Sequence, residues 1–260
     1  MAGVARIKAA VRNGLPPAWQ VPAKYWHARL TGTLEPEMAL LSRLVPSGAR
    51  AIDVGGNYGA YALALSGIGA RVEVFEPHPV CLRALSGWAR GRERVTVHPF
   101  ALSDRDGEAE LAIPVDADGT EHDAAGSVDG SVHAGPVRTH RVALRRLDDF
   151  GFTDAALVKI DVEGHEAAVI EGALATIATA RPALLIEIEQ RHRSDPIATT
   201  FARIAGLGHD GYFLMGGVLL PVAQFNPAIH QRADTLGRSG YYNNFLFLPC
   251  ERDYPGLTAP

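Results

Sequence analysis

The sequence is short of most features that mark a specialised chain. It holds two cysteines, Cys81 and Cys250, among 260 residues, which excludes a disulfide framework and a thiolate metal site. The corresponding expectation is a reduced, cytoplasmic setting. Lysine occurs only at positions 8, 24 and 159. Basic and acidic residues number 25 and 29 for a formal net charge of −4, so the basic excess of a duplex nucleic-acid binder is missing. Long apolar runs are missing too. Arg6, Lys8 and Arg12 interrupt the N-terminus before a secretory h-region develops. The stretch 211–231 lacks acids, lysine and arginine, but contains Gly216, Gly217, Pro221, Gln224, Asn226 and Pro227. It reads as strand, turn and loop rather than a membrane span. There is no internal repeat. What remains is 47% apolar and 21% charged residues, the balance of one soluble domain with a sizeable core.

The order of segments indicates which core. Residues 1–48 read as a peripheral helical segment punctuated by prolines 16, 17, 22, 36 and 46, with a helical period at 38, 40, 41 and 44. Short apolar runs at 51–54, 71–76 and 94–102 then read as buried strands, with helices between them up to Leu65 and over 80–89. Such a β-α-β-α-β series implies parallel strands with right-handed crossovers, hence a doubly wound α/β sheet. Residues 107–150 break the rhythm. ELAIPV and VRTHRVALRRL read as an antiparallel insertion around a long Gly-, Asp-, Ser- and His-rich loop, the form of a lid. The rhythm resumes with a strand at 156–161, a helix over 164–176, a strand at 183–189, a helix after Asp195, and strands near 212–215 and over 241–249. The domain expected from this is 49–260, with 1–48 in front of it.

Four clusters carry chemistry. The first is Asp53-Val-Gly55-Gly56-Asn57-Tyr58-Gly59, where a buried strand turns into a helix. Glycines there let a ligand approach the backbone, and a helix start favours a carboxylate or phosphate. Gly55 and Gly59 are four apart and an acid precedes them, unlike the dinucleotide fingerprint. Asp53 would repel a pyrophosphate and attract an ammonium, which points to S-adenosylmethionine. The second is Glu76, followed by Pro77 at a strand tip, where doubly wound folds place the acid that binds ribose hydroxyls. The third is Ser103-Asp104, readable as an ordinary turn or as an acceptor for the adenine amine. The fourth is Lys159-Ile-Asp161-Val-Glu163-Gly164-His165-Glu166, at the strand edge where open α/β sheets bind ligands.

DVGGNYGAYALAL, VFEPHP, FALSD, VKIDVEGHEAAVIEGA and RPALLIEIE, in this order and spacing, resemble the FkbM family of S-adenosylmethionine-dependent methyltransferases from about Glu35 to Pro249. The resemblance implies a class I methyltransferase (Rossmann-like) fold with a mostly parallel sheet and an antiparallel last strand. It also implies O-methylation of a hydroxyl on a sugar, glycan, lipid head or secondary metabolite. Carried over, Asp53, Gly55, Gly56, Asn57, Tyr58 and Gly59 hold the methionine end, Glu76 and Pro77 the ribose, and Ser103 with Asp104 the adenine. Gly56 stands where the family commonly has alanine, and His165 where it often has alanine.

An aliphatic hydroxyl needs positioning and a base. Asp161, Glu163 and His165 are the expected acceptor-pocket residues. Glu187 and Glu189 share a sheet face by period-2 alternation, and Glu189, nearer the carboxyl edge, is the expected contributor. Asp161, Glu163 and Glu189 also form a possible but not favoured Mg²⁺ site, and His122, His133 and His140 read as solvated rather than zinc-binding. Other readings are a nicotinamide-dependent oxidoreductase or epimerase on the same sheet, and a non-catalytic cofactor binder. The expected partner is a small hydroxylated acceptor. Nucleic acid and a membrane span are not expected, and the oligomeric state is left open.

Overall fold

The computed structural model describes residues 14–115, 126–128, 135–238 and 240–257. Helix α1 (Pro17–Thr31) is followed by a 3-10 turn, Pro36–Leu40, and the single-turn α2 (Leu41–Leu44). The helical period read at 38–44 is therefore carried by two short turns of different pitch, which still bury Leu40, Leu41 and Leu44. Next come β1 (Arg50–Val54), α3 (Ala60–Gly67), β2 (Arg71–Phe75), α4 (Pro79–Ala89) and β3 (Val95–His98). Then come β4 (Ala101–Leu102) and, from the insertion, β5 (Gly107–Pro114) and β6 (Val137–Arg145). The remainder is β7 (Ala155–Ile160), α5 (Glu166–Glu171), α6 (Leu174–Ala180), β8 (Ala183–Glu187), α7 (Ile197–Ala205), β9 (His209–Met215), β10 (Val218–Pro221), α8 (Pro227–His230) and β11 (Asn244–Pro249).

Eight strands form one sheet in the order β10-β9-β11-β8-β7-β1-β2-β3. Strands β3, β2, β1, β7 and β8 are parallel, and β11 runs antiparallel between β8 and β9. The order reverses between β1 and β7, the switch point at whose carboxyl edge such sheets bind ligands. Alternation sorts the side chains into two cores. Ala51, Leu157, Leu185 and Leu246 pack on one face against Val21, Tyr61, Leu65, Leu85 and Trp88. Ile52, Val54, Val158, Ile160, Ile186 and Phe245 pack on the other face against Val169, Ile177, Ile197 and Ile204.

Two expected elements divide. The strand expected over 94–102 breaks at Pro99, which has no N–H to donate. Its first part pairs with β2, and its second part leaves the main sheet to pair with β6. The helix expected over 164–176 breaks at Gly172, where a Cβ would lie 1.9 Å from the Ser103 carbonyl oxygen. Asp148 then caps the new start of α6, accepting from the Ala175 and Thr176 N–H groups at 3.1 and 2.8 Å. The strands expected over 183–189 and 241–249 are shorter, ending at Glu187 and starting at Asn244. Strands β5 and β6 pair antiparallel along their length, as the insertion reading expects.

Candidate active site

Two cavities open at the carboxyl edge of β1 and β7, and Gly55, Asn57 and Asp161 line both. The tightness of this junction follows from Gly55. It sits at φ 77°, and a Cβ there would be 1.8 Å from the Asp161 carbonyl oxygen. Only glycine lets the two strand-end loops approach this closely.

The first cavity is walled by Phe75, Pro77, Phe100, Leu102, Leu111 and Val128 and is largely apolar. Glu76 is its buried acid. Its two oxygens accept from the Asn57 and His78 N–H groups, each at 2.6 Å. Burial, outweighing those bonds, raises its pKa to about 7. Each carboxylate oxygen keeps a second lone pair, so a ribose diol can still be bound. Ser103 is fully buried behind this wall, with its Oγ 3.0 Å from His165 Nε2 and 3.1 Å from Asp104 Oδ1. His165 itself lines the cavity. The insertion reaches the same wall through Leu111, Gly126 and Val128, and the Ser127 hydroxyl donates to the Glu163 carbonyl at 2.8 Å.

The second cavity carries the acids Glu35, Asp53 and Asp161 on its wall, and strand register extends them into a charged row. Alternation carried to the strand ends puts Asp53, Lys159, Glu187 and Asn244 on one sheet face. Asp53 is the register partner of Lys159, and Glu187 of Asn244. Glu35 reaches this row from the N-terminal segment, accepting from Tyr61 Oη at 2.5 Å and Asn244 Nδ2 at 3.1 Å. Among the described residues, Glu35, Asp161 and Glu187 offer oxygens that all lie within 4.8 Å of one another. Lys159, fully buried, answers them. Its ammonium lies 3.5 Å from Asp161 Oδ2 and 5.1 Å from the Tyr61 ring centroid. Burial alone would lower its pKa, but Asp161, Glu35, Glu187 and Asp53 hold it above the ordinary value. Burial also raises Asp53 to about 7, with Asp161 and Glu35 adding to the rise and Lys159 opposing it. One Asp53 oxygen, Oδ2, is buried without a hydrogen-bond partner.

That orphan oxygen and the glycine cradle test whether S-adenosylmethionine fits. A buried acceptor without a donor is costly unless something arrives to donate. An ammonium entering beside Asp53 would satisfy it, while the helix start at Gly59 and the Lys24 ammonium, 3.5 Å from Asn57 Oδ1, suit a carboxylate. The residues fit the group.

Asp161, Glu163 and His165 line the first cavity together, whereas Glu189 lines neither cavity. Asp161 stands at the junction, while Glu163 pairs with His192 Nδ1 at 3.1 Å and is raised to about 7 by burial, Asp161 and Glu189. Glu189 is tied to Arg191 and accepts from Tyr241 Oη at 2.6 Å. Burial would raise its pKa, yet these two partners hold it below the usual range. It is Glu187, held by Asn243 Nδ2 at 2.6 Å, that adjoins Asp161. The acids that converge are thus not the Asp161, Glu163 and Glu189 considered for Mg²⁺, and Lys159 already supplies positive charge where they meet. His122 and His133 fall outside the described residues, and His140 lies in β6. Glu35, Lys24 and Tyr61 carried no local signal in the sequence. Lys159 lay in view within the strand-end motif.

A search of curated proteins gives no match. Among solved structures, the chain is similar to a methyltransferase FkbM from Methylobacillus flagellatus KT, with 18% identity and a TM-score of 0.49. That alignment covers 77% of this chain and 43% of the other, so the chain spans less than half the length of that relative. It is also similar to a TehB-like SAM-dependent methyltransferase from Corynebacterium glutamicum, with 13% identity, a TM-score of 0.47 and coverage of 88% and 96%. A SAM-dependent methyltransferase from Aquifex aeolicus gives 13% identity, a TM-score of 0.42 and coverage of 87% and 96%. No helix among the described residues is long and apolar enough to cross a membrane. The sequence model of the FkbM methyltransferase domain matches residues 53–212; this is more than half of the chain and runs from the first glycine-loop acid past the acids of the cleft, and the chain belongs to the FkbM family of S-adenosylmethionine-dependent methyltransferases.

Proposed function

We propose that the chain methylates a hydroxyl of a small molecule, a sugar or glycosylated secondary metabolite, with Asp161 as the proton acceptor. The observation that carries this reading is the position of Asp161 on both cavities, beside a buried lysine. S-adenosylmethionine supplies the activated methyl group when bound. The chain does the rest. Phe75, Glu76 and Leu102 take the nucleoside, and Asp53, the glycine loop and Lys24 take the amino-acid end. Asp161, Glu35 and Glu187 face the acceptor, and the ammonium of Lys159 lies 3.5 Å from Asp161 Oδ2, beside the carboxylate where a hydroxyl proton would be received. Alignment of hydroxyl and methyl supplies much of the acceleration. In this assignment His165, backed by Ser103, belongs to the nucleoside wall, and the insertion covers it through Leu111, Gly126 and Val128.

The test is mass spectrometry of hydroxylated and glycosylated metabolites incubated with the protein and methyl-labelled cofactor, run beside Asp161→Asn. A labelled O-methyl product that the variant forms far more slowly, at unchanged cofactor affinity, is the expected result. Full turnover by Asp161→Asn removes the base assignment. Tight cofactor binding with no product from any hydroxylated acceptor favours a non-catalytic binder.

A further inference from the structure

Helix α1 has two finished faces. The inner one buries Val21 and Gln20 and turns Lys24 and Ala28 toward the second cavity. On the outer one, Trp19, Ala23, Trp26 and Leu30 recur at helical spacing, all exposed. Trp19, Trp26 and Leu30 are 66%, 54% and 85% accessible, the first three large apolar side chains to be exposed along the described chain. Two tryptophans and a leucine on one stripe form a contiguous patch, unlike isolated surface apolar residues. The Arg29 guanidinium lies 5.6 Å over the Trp26 ring, an arrangement that places a cation at the edge of the patch.

Charge around this helix is one-sided. Residues 1–34 contain Arg6, Lys8, Arg12, Lys24 and Arg29 and no aspartate or glutamate, whereas residues 35–260 carry 20 basic against 29 acidic residues. The first 34 residues are therefore net basic and the rest of the sequence net acidic. We propose that the outer face of α1 docks on an anionic lipid surface. Tryptophan suits the headgroup level, where its ring is buried and its N–H stays hydrated. Arg29, beside the apolar stripe, adds attraction to anionic lipid. The net acidic rest of the chain is repelled by the same surface, which fixes the orientation. A second copy of the chain is a poorer occupant, since apposing two such faces brings like charges together. Lys24 and Ala28 lie on the inner side of the same helix, so docking sets the second cavity beside the bilayer.

Vesicles of phosphatidylcholine, alone and mixed with phosphatidylglycerol, provide the test. The chain has three tryptophans, and Trp88 is already buried at 2% accessibility, so a blue shift of emission on adding vesicles reports Trp19 and Trp26 directly. The expected result is a blue shift and co-sedimentation with the anionic vesicles only, weakened by salt. The combined variant Trp19→Ser, Trp26→Ser, Leu30→Ser should lose co-sedimentation by about tenfold or more while still binding S-adenosylhomocysteine. Arg29→Glu should lower anionic-vesicle affinity by about tenfold with the apolar stripe intact. Equal binding to neutral and anionic vesicles, equal binding by the serine variant, or no binding by the parent chain overturns the proposal. A parent dimer that the serine variant splits into monomers, without vesicle binding, assigns the face to a second copy instead.

Discussion

The two ends of the cleft are built in opposite ways. The proposed nucleoside end is lined by strand-end loops and the insertion, and its buried acid, Glu76, is held by two backbone N–H groups in an apolar wall. The proposed acceptor end gathers Glu35, Asp161, Glu187 and Lys159 from the N-terminal segment and the ends of β7 and β8 and holds them by charge. A local backbone cradle can be altered one contact at a time. A charge cluster responds as a unit, so its members should show strong coupling.

The sharpest break between the ends is a pair of substitutions. Asp161→Asn should cut kcat by about a hundredfold to ten-thousandfold, the range of a lost general base, and leave S-adenosylhomocysteine affinity unchanged. Glu76→Ala should do the reverse, weakening that affinity by about tenfold to a hundredfold through lost charged hydrogen bonds. Calorimetric titration and steady-state kinetics on both variants check this. If both changes fall on the same parameter, the division of the cleft is wrong.

Lys159 tests whether the acceptor end is one unit. Lys159→Met strands several buried acids without their cation, and the expected loss is about 3–5 kcal/mol of stability at alkaline pH. The deficit should shrink as pH falls, because Asp53, already raised to about 7, Glu37, also about 7, and Glu187 take up protons. Adding Glu187→Gln should recover part of the loss. Thermal denaturation of the three proteins at acid and alkaline pH reads both effects.

The parent chain has a weaker form of the same dependence. Asp53, Glu76 and Glu163 have folded pKa values raised to about 7, well above the ordinary carboxyl value of about 4. Between those limits the folded chain binds more protons than the unfolded one, so stability without ligand falls as pH rises through that window and levels off above it. A melting temperature that climbs from pH 5 to pH 8 contradicts this burial of acids.

The same contrast explains what could be read in the sequence. The glycine loop, Glu76 and the Lys159–Glu166 motif are contiguous signals, and alternation of apolar segments gave the parallel sheet and the inserted hairpin. Glu35 could not be read. It meets Asn244 across 209 residues of chain, and nothing local distinguishes it from a surface glutamate. Period-2 alternation grouped Glu187 with Glu189, but nearness to the strand end did not identify the acid that adjoins Asp161. The sheet ends at Glu187, and beyond it Arg191 and Tyr241 claim Glu189. The breaks at Pro99 and Gly172 follow from pairing with β6 and from contact with Ser103, which are tertiary facts.

The smallest expected effect separates packing from binding within the glycine loop. At Gly56, where the family commonly has alanine, a Cβ would lie 2.3 Å from Val74 Cγ1 but 3.7 Å from Asp53 Oδ2. The backbone there is not in the left-handed region, so alanine meets a side-chain clash and no dihedral strain. Gly56→Ala should therefore cost about 1–3 kcal/mol by overpacking, with little change in S-adenosylhomocysteine affinity. Val74→Ala added to it should restore part of the stability, because the obstruction is one methyl group of β2. Gly55→Ala has no such remedy, since its obstruction is the Asp161 backbone and Gly55 itself sits at positive φ. Measured as melting temperatures of the two alanine variants with and without Val74→Ala, rescue at 56 and none at 55 would show that one glycine serves the core and the other serves the junction of the two cavities.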